Sequence, residues 1–535
     1  MRFSVIATAL ILLLLASMVW AERVIEPTEG FVNEIIAADT SAGGVRNNTV
    51  YVFKRGATYF ANFRIENVGW PMTLKAETGT GPLPIIRVWP DASGTVQQVI
   101  YGRHDVYVYN LVLDGMGPDL NTSEPDPFFK MNGQLLRADA PGKVFVLDGC
   151  IMNNAAQVLL RSSSGNRKIQ LTNCIMVNAG QLSSNDPGNG RCFDFRDAVT
   201  DTLILRNSTF VNGIDRVIRH RDANKKNNYL DYVQIDHCTF VNWLGTFGMF
   251  MLGDLRTKLQ MTNNLLYNPM ILGYDMNDPW RVLEFELPGE FDVNGKGIMT
   301  MLNDEPNETV AFEVHHNVIC YDSDVEQYLQ QKSIPKAPFA TQRILSKLDA
   351  GLGAPVVESD VQLANIPKSG LDIVKWYYTT GDPAKPYQGA VTTADWDLDR
   401  RTNEYWDQTF DCSYTSSDKA FVGSDKKPVG DTNWKSLLTA VEQKSVAPVT
   451  FNLGQNYPNP FNPVTTISYS VEKPGKVLLK VYNVLGKEMA TLVDETKAPG
   501  MYSVSFSASG LASGVYFYTL QAGSQIQSKK MLVLQ

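Results

Sequence analysis

VYVYNLVLDG at 106–115 is followed by KVFVLDGCIMNN (143–154), KIQLTNCIMVNA (168–179), TLILRNSTFVNG (202–213), YVQIDHCTFVNW (232–243), KLQMTNNLLYNP (258–269) and VAFEVHHNVICY (310–321). Each copy alternates apolar and polar residues, reaches a polar elbow and resumes with a second short apolar run, which is the pattern of strand, corner and strand. Aligned on Asn110, Gly149, Asn173, Asn207, His237, Asn263 and His316, the elbows lie 39, 24, 34, 30, 26 and 53 residues apart. The shortest separations approach one turn of a parallel β-helix, and the longer ones require loops inserted at a corner. One copy cannot bury its apolar face, whereas stacked copies can, with equivalent backbone positions about 4.8 Å apart. The leucine spacing of leucine-rich repeats is absent. An all-β chain built on a parallel β-helix is therefore expected, with a β-sandwich of the same short strands as its rival.

Composition agrees with a folded, strand-rich chain. Of 535 residues 44% are hydrophobic and only 19% charged, and 40 glycines supply corners. The formal charge of −8 argues against a nucleic-acid partner. Arg2, the apolar run from Val5 to Trp20, and Val19 and Ala21 before Glu22 read as a secretory signal peptide over residues 1–21. No later segment has the length and apolarity of a membrane span.

Six cysteines in an exported chain raise the question of disulfides. Cys150, Cys174 and Cys238, however, follow the elbow where Ser208, Asn264 and Asn317 stand in other copies. Recurrence at one repeat position points to a stack of small inward residues, with the thiols free and packed as small hydrophobes. His237, His315 and His316 fall at the same corner, where other copies use asparagine, and read as elbows rather than metal ligands. DPGNG at 186–190 lacks the strand, lysine and helix of a phosphate loop and is a turn.

A second strand group, QLLRAD (134–139), QVLLRSSS (157–164), CFDFRDAV (192–199) and RVIRHRD (216–222), places Arg137, Arg161, Arg196 and Arg219 at comparable positions. With Leu136, Leu160, Phe195 and Ile218 facing inward, alternation sends the four arginines outward as a ladder. Like charges about 5 Å apart repel by a few kcal/mol at an effective dielectric of about 20, unless splayed or neutralised. Asp194, Asp197 and Asp222 are the nearby neutralising groups. A guanidinium fork holds a carboxylate with two hydrogen bonds, so the ladder, extended by Arg221, would suit a polymer bearing regularly spaced carboxylates or sulfates. Phe128 and Phe129, in the insertion at 116–133, either shield the coil beneath or stack on a sugar ring.

The recurring coils and an early strand, Leu74-Lys75-Ala76-Glu77, resemble secreted proteins of the pectate-lyase type of right-handed β-helix, a group that includes the chondroitin and alginate lyases. That resemblance implies binding of an acidic polysaccharide and its cleavage by β-elimination. The reaction needs a cation or metal on the uronate carboxylate, a base for the adjacent ring proton and a proton donor for the leaving oxygen. On this chain Arg196 and Arg219 would meet the carboxylate, and Lys225 or Lys226, in the KKNN loop, would serve as base. His220 would face inward if Arg219 faces out. The resemblance further implies calcium, for which Asp194, Asp197 and Asp222 supply oxygen ligands. The calcium ladder of pectate lyases and the lysine and arginine pair of the chondroitinase-like group are not matched here.

After Tyr321 the pattern changes. Short helices are expected within 325–348, and the aromatic-rich stretch to Trp434 reads as a terminal cap over 322–440. The close KPVGDTNW (427–434) resembles that of secreted β-helix proteins from Bacteroidetes-like bacteria. A linker at 441–450 precedes FNLGQNYPNPFNPVTTISYSV (451–471), VLLKVYNVLGKEMATLVD (477–494), GMYSVSFSASGLASGVYFYTL (500–520) and SKKMLVLQ (528–535). These alternating strands predict a small β-sandwich over 451–535. NYPNPFNP, YNVLG, LASGVYFYTL and KKMLVLQ resemble, in order, the sorting domain recognised by the type IX secretion system. The resemblance implies passage through an outer membrane, then release or surface attachment.

The expected organisation is thus signal peptide (1–21), N-terminal cap and first coils (22–105), central β-helix (106–321), terminal cap, linker and sorting domain. The expected function is that of an exported protein binding an acidic polysaccharide, with cleavage by a lyase mechanism. Non-catalytic adhesion and pectin-type hydrolysis are the alternatives, and fold alone cannot choose among them.

Overall fold

The computed structural model describes residues 22–117, 130–131, 133–180, 189–196, 199–221, 228–275, 277–278, 281, 299–303, 309–367, 369–378, 410–438, 451–456, 459–497 and 500–533. The signal-peptide segment and the pair Phe128-Phe129 lie outside them. Two compact units divide the chain at Thr439 and Ala440.

The first unit is a parallel β-solenoid. Three sheets run its length, two of ten strands and one of eight, and every neighbour within them is parallel. One coil shows the plan: Val144–Asp148 in the first sheet, Ile151–Ala155 in the second, Val158–Ser162 in the third, then Asn166–Thr172 back in the first, paired beside its starting strand. Within the repeated coils each strand pairs with its equivalent one coil away, always in parallel, which excludes the sandwich alternative for this unit. Inward residues of all three sheets form one continuous apolar core.

The elbows expected from sequence are real corners. Asn110, Gly149, Asn173, Asn207, His237, Asn263 and His316 all have φ between 51° and 65°, the left-handed region that asparagine and glycine tolerate best. Directly after them, small side chains stack inward: the Cys174 amide donates to Ser208 Oγ (3.1 Å), the Cys238 amide to Asn264 Oδ1 (2.8 Å) and the Asn264 amide to Asn317 Oδ1 (3.1 Å). All six cysteines are free and buried, and burial raises the thiols of Cys174, Cys192 and Cys238.

A second corner went unread in the sequence. Asn154, Asn178, Asn212, Asn242 and Asn268 also adopt positive φ, from 51° to 59°. Their amides form a buried ladder in which each Nδ2 donates to the Oδ1 one coil below: Asn178 to Asn154 (3.2 Å), Asn212 to Asn178 (3.2 Å), Asn242 to Asn212 (3.3 Å) and Asn268 to Asn242 (3.0 Å). Asp322 closes the ladder by accepting from Asn268 Nδ2 at 2.7 Å.

The outward face of the second sheet is apolar and covered. Val177, Val211, Val241 and Tyr267 lie under Leu363, Cys412, Tyr414, Phe421 and Val429. This strap is tied to the elbows: the Thr432 amide donates to Asn207 Oδ1 (2.9 Å) and the Ser424 amide to Asn263 Oδ1 (2.8 Å). Asp431 accepts from Thr209 Oγ1 at 2.7 Å beneath it. The helices Ser323–Gln331 and Gln342–Ser346 follow the last full coil, where short helices were expected.

The second unit consists of two antiparallel sheets. Asn452–Leu453, Val464–Val471 and Gly500–Ser507 form one; Glu488–Lys497, Gly475–Asn483, Gly514–Ala522 and Gln525–Val533 form the other. Leu453, Ile467, Leu479, Tyr518 and Met531 fill the core in a sandwich arrangement.

Two predictions follow from the corners and the strap. Asn178→Ala removes one donated and one accepted amide bond at a left-handed position and is expected to cost about 2–4 kcal/mol. Asn178→Gly, which keeps the backbone conformation, should recover part of that loss, both read as shifts in chemical denaturation. Burial raises the Asp431 carboxyl above its ordinary value. Its contribution is therefore complete below about pH 4 and is lost as pH rises through the folded-state value. Denaturation of Asp431→Asn against the parent should accordingly show a difference that moves in favour of the variant from about pH 4 towards neutrality.

Candidate functional site

The coils are uneven in only one place. From Val106 onward the first and second sheets are joined by one or two residues, whereas long connections enter or leave the third sheet: 115–133, 180–190 and 268–301 before it, 222–229 and 304–310 after it. Extra chain length is concentrated at this sheet, and solenoid insertions gathered on one face mark its binding side.

The third sheet comprises Ile65–Glu66, Ile100–Gly102, Gln134–Ala138, Val158–Ser162, Arg191–Arg196, Ile218–Arg221, Phe250–Met251 and Leu302–Asn303. Leu136, Leu160, Phe193, Ile218 and Phe250 occupy one inward register row. The adjoining outward row reads Tyr101, Arg137, Arg161, Asp194, Arg219 and Met251. This corrects the expected ladder. Arg161 pairs with Asp194, not Arg196, and Arg196 pairs with Arg221. The strand CFDFR carries inward phenylalanines at both 193 and 195, so alternation is satisfied in two registers two residues apart. Phe193 takes the place expected for Phe195 between Leu160 and Ile218. The cationic row is therefore interrupted by a carboxylate, with Arg196 one step further along the same face.

Asp194 is fully buried and is the electrostatic centre of the face. Its oxygens lie 3.0 Å from Arg196 Nε, 3.4 Å from Arg219, and 3.8 Å from both Arg161 and Arg191. A second buried carboxylate, Asp215, accepts from Arg191 Nε at 2.9 Å and pairs with Arg216 at 3.3 Å. Burial, with Arg191 beside it, lowers the Arg219 guanidinium to about 9, a shift that Asp194 opposes. Arg219 remains a cation at neutral pH.

At the other end of the row, Arg103, Arg64 and Arg137 surround the Tyr101 ring at 4.3, 4.7 and 4.9 Å from its centroid. Glu66 pairs with Arg64 and Arg103, and Asp139 with Arg137. Among the described side chains, Arg64, Arg103, Arg137, Arg161, Arg191, Arg196, Arg216 and Arg219 face Glu66, Asp139, Asp194 and Asp215. Cations outnumber anions two to one here, although the whole chain is acidic.

Arg161 is the group without an internal explanation. Its side chain is only 18% exposed. Among the described residues it donates no hydrogen bond: Nε is buried without a partner, and its carboxylate contact, Asp194, stands at 3.8 Å. Burial lowers its pKa, and Arg196, Arg137 and Arg191 add to the shift. A buried donor set of this kind is costly unless something accepts from it.

The remaining expected residues are placed as follows. His220 pairs with Phe195 on the inward row and is buried, against Gly253, where an added Cβ would stand 2.4 Å from the ring. The backbone of Arg221 lies opposite Arg196, while its side chain, together with Asp197, Asp222, Lys225 and Lys226, lies outside the described residues. Asp194 does not fit calcium, because guanidinium groups surround it on the strands at either side. Among the described residues no group of three or more His, Cys, Asp or Glu is arranged to hold a metal. His237 sits between Asp236 (3.2 Å) and the strap's Asp425 (3.4 Å), at its corner. Arg64, Arg103 and Tyr101 were missed in the sequence because they belong to strands or corners before the repeated motif, and Arg191 because it opens the strand Arg191–Arg196 one residue before the stretch that was aligned.

Residues 455–534 match the sequence model of the secretion system C-terminal sorting domain. This module addresses the protein to the type IX translocon and so to secretion or attachment at the surface. No helix among the described residues is long and apolar enough to cross a membrane. No curated protein and no solved structure was found to match the chain. The fold is one compatible with carbohydrate-active and carbohydrate-binding proteins in general.

Asp194→Asn leaves buried guanidinium groups uncompensated and is expected to destabilise the solenoid by about 3–5 kcal/mol. Pairing it with Arg219→Met should restore part of the loss, and a double-mutant cycle on unfolding midpoints measures the coupling.

Proposed function

We propose that the third sheet binds an acidic polysaccharide, and that the protein cleaves a uronic-acid polymer there by β-elimination. The observation that carries the reading is Arg161: a guanidinium in a cationic row, its side chain only 18% exposed, with no hydrogen-bond acceptor among the described residues. A carboxylate is the complementary group, since it accepts two parallel bonds from one guanidinium fork. Arg137 and Arg196, on either side and more exposed, would meet neighbouring charges of the same polymer. The many loops bordering this sheet are consistent with a groove bounded along its length.

For β-elimination, guanidinium groups on the uronate carboxylate stabilise the charge that develops when the adjacent ring proton leaves. Arg161 and Arg219 fit that role by position. The base assigned from the sequence is Lys225 or Lys226, four and five residues after the strand Ile218–Arg221 and outside the described residues. A lysine base would require a lowered pKa, which a strongly cationic neighbourhood favours. Calcium finds no support at Asp194.

A second reading, adhesion without cleavage, draws on a different observation. The strands of the third sheet carry no lysine, and their one histidine, His220, points inward. The described face can therefore grip an anionic polymer without supplying a proton acceptor of that kind.

The test is incubation of the exported protein with pectate, alginate, chondroitin and neutral glycans, with and without calcium, following ultraviolet absorbance of new unsaturated uronate ends. New ends from acidic glycans only would establish the lyase, whereas binding without new ends would select adhesion. Arg161→Ala should weaken binding of the acidic polymer about 10- to 100-fold while leaving the unfolding midpoint nearly unchanged. Equal affinity of the variant for every acidic polymer would remove this site from consideration.

A further inference from the structure

The arginine face does not end at Arg137. Towards the start of the solenoid it continues through Tyr101 to Arg64, and there the surface changes character. Phe63 is 44% exposed. Among the described residues no other aromatic side chain of the solenoid unit is as exposed. Apolar rings of this size are normally withdrawn from water, and here the core directly beneath is already filled by Ala61 and Ile65. The guanidinium of Arg64 lies over the Phe63 ring, 5.2 Å from its centroid, and also over Tyr101. Phe63 is thus fixed at the corner leading into the third sheet, beside cations that belong to the binding face.

We infer that Phe63 and Arg64 form a distal subsite of the polysaccharide groove, in which the Phe63 ring stacks against a sugar ring while Arg64 holds an acidic or hydroxyl substituent of the same unit. The inference rests on the acidic-polysaccharide reading above and adds to it a direction and a minimum length. The strand carrying Phe63's neighbour Ile65 is three places from the strand of Arg161 in the sheet order. At about 4.8 Å per strand this is roughly 14 Å, the span of a few linked sugars. A ligand too short to cover that distance would meet Arg161 alone. A longer one would meet both, and the second contact, being intramolecular, would add to the affinity without a second loss of translational freedom.

Three consequences distinguish this subsite from an incidental exposed ring. The gain should depend on ligand length, because only longer chains reach it. It should depend on an aromatic face, because stacking is the contact made. It should leave stability nearly unchanged, because Phe63 lies at the surface and outside the buried core cluster. The first sequence-derived candidates for stacking, Phe128 and Phe129, belong to an insertion further along the sheet, so the two positions are separable by mutation.

The experiment is calorimetric titration of the exported protein, and of Phe63→Ala, Phe63→Trp and Arg161→Ala, with a length series of oligogalacturonates and oligomannuronates from disaccharide upwards. The expected result is an affinity that rises with length and then levels off, with Phe63→Ala losing about tenfold only for the longer ligands and Phe63→Trp retaining the rise. Arg161→Ala should weaken binding at every length. If Phe63→Ala binds every length as the parent does, while Arg161→Ala is weakened, the distal subsite is overturned and the acidic-polysaccharide reading stands. If the parent binds neither series at any length, both fall. Loss of the short ligands along with the long ones in Phe63→Ala would also overturn the subsite, since it would place Phe63 beside Arg161 rather than apart from it.

Discussion

A solenoid of this kind depends on each coil turning at the same two places as the coil beneath it. The turns are made by single residues with left-handed backbone, and asparagine is the side chain that both tolerates that conformation and can repeat a hydrogen bond from coil to coil. The inner ladder from Asn154 to Asn268 ties successive coils by their amides, and the elbow row from Asn110 to His316 fixes where the chain leaves the first sheet. With both corners locked, strand register is determined coil by coil, and the inward residues fall into continuous rows. The buried amides would be costly alone, and in a stack each satisfies its neighbour.

Among the described residues the third corner, where the chain returns from the third sheet to the first, carries no such row, and the insertions 222–229 and 304–310 fall there. Before the third sheet, the insertions 180–190 and 268–301 begin only at or just after the Asn178 and Asn268 corners, once the ladder bonds have been made. Long connections on either side of the third sheet therefore leave the stacking of the other two undisturbed. The two faces also differ in what they present. The second sheet presents a valine stripe and is sealed by the strap, whose amides reach the elbow asparagines. The third presents arginines.

Charge on that third face is partly self-compensated. Asp194 and Asp215 draw in Arg191, Arg196, Arg216 and Arg219, and Glu66 and Asp139 do the same around Tyr101. Between the two groups Arg161 is left over. An interior carboxylate row would have removed the excess and with it any reason for an anion to bind, while an unbroken arginine row would have been hard to hold together at strand spacing. Alternating the signs unevenly keeps the sheet stable and leaves net positive charge directed outward. The separate sandwich at the end of the chain serves export.

The periodic copies between Val106 and Tyr321 determined the coils, the elbows, the inward thiol stack and the separation of a terminal sandwich, because these follow from local alternation and from residue types that few backbones accept. Even the second asparagine row was present, five residues after each of the five elbows from Gly149 to Asn263, although alternation alone gave no cause to look for it. Only the tertiary structure decided which arginines stand in one row. Side-chain direction repeats every two residues, so a strand shifted by two keeps every side chain on its proper face. The choice fell to packing across coils: Phe193 meets Phe210 edge-on in the core, Phe210 stacks on Phe240, and that packing sets Asp194 rather than Arg196 level with Arg161. Likewise, Arg64, Tyr101 and Arg103 come from coils before the clear repeat and join the face through pairing between strands far apart in the chain, a relation that no local pattern records.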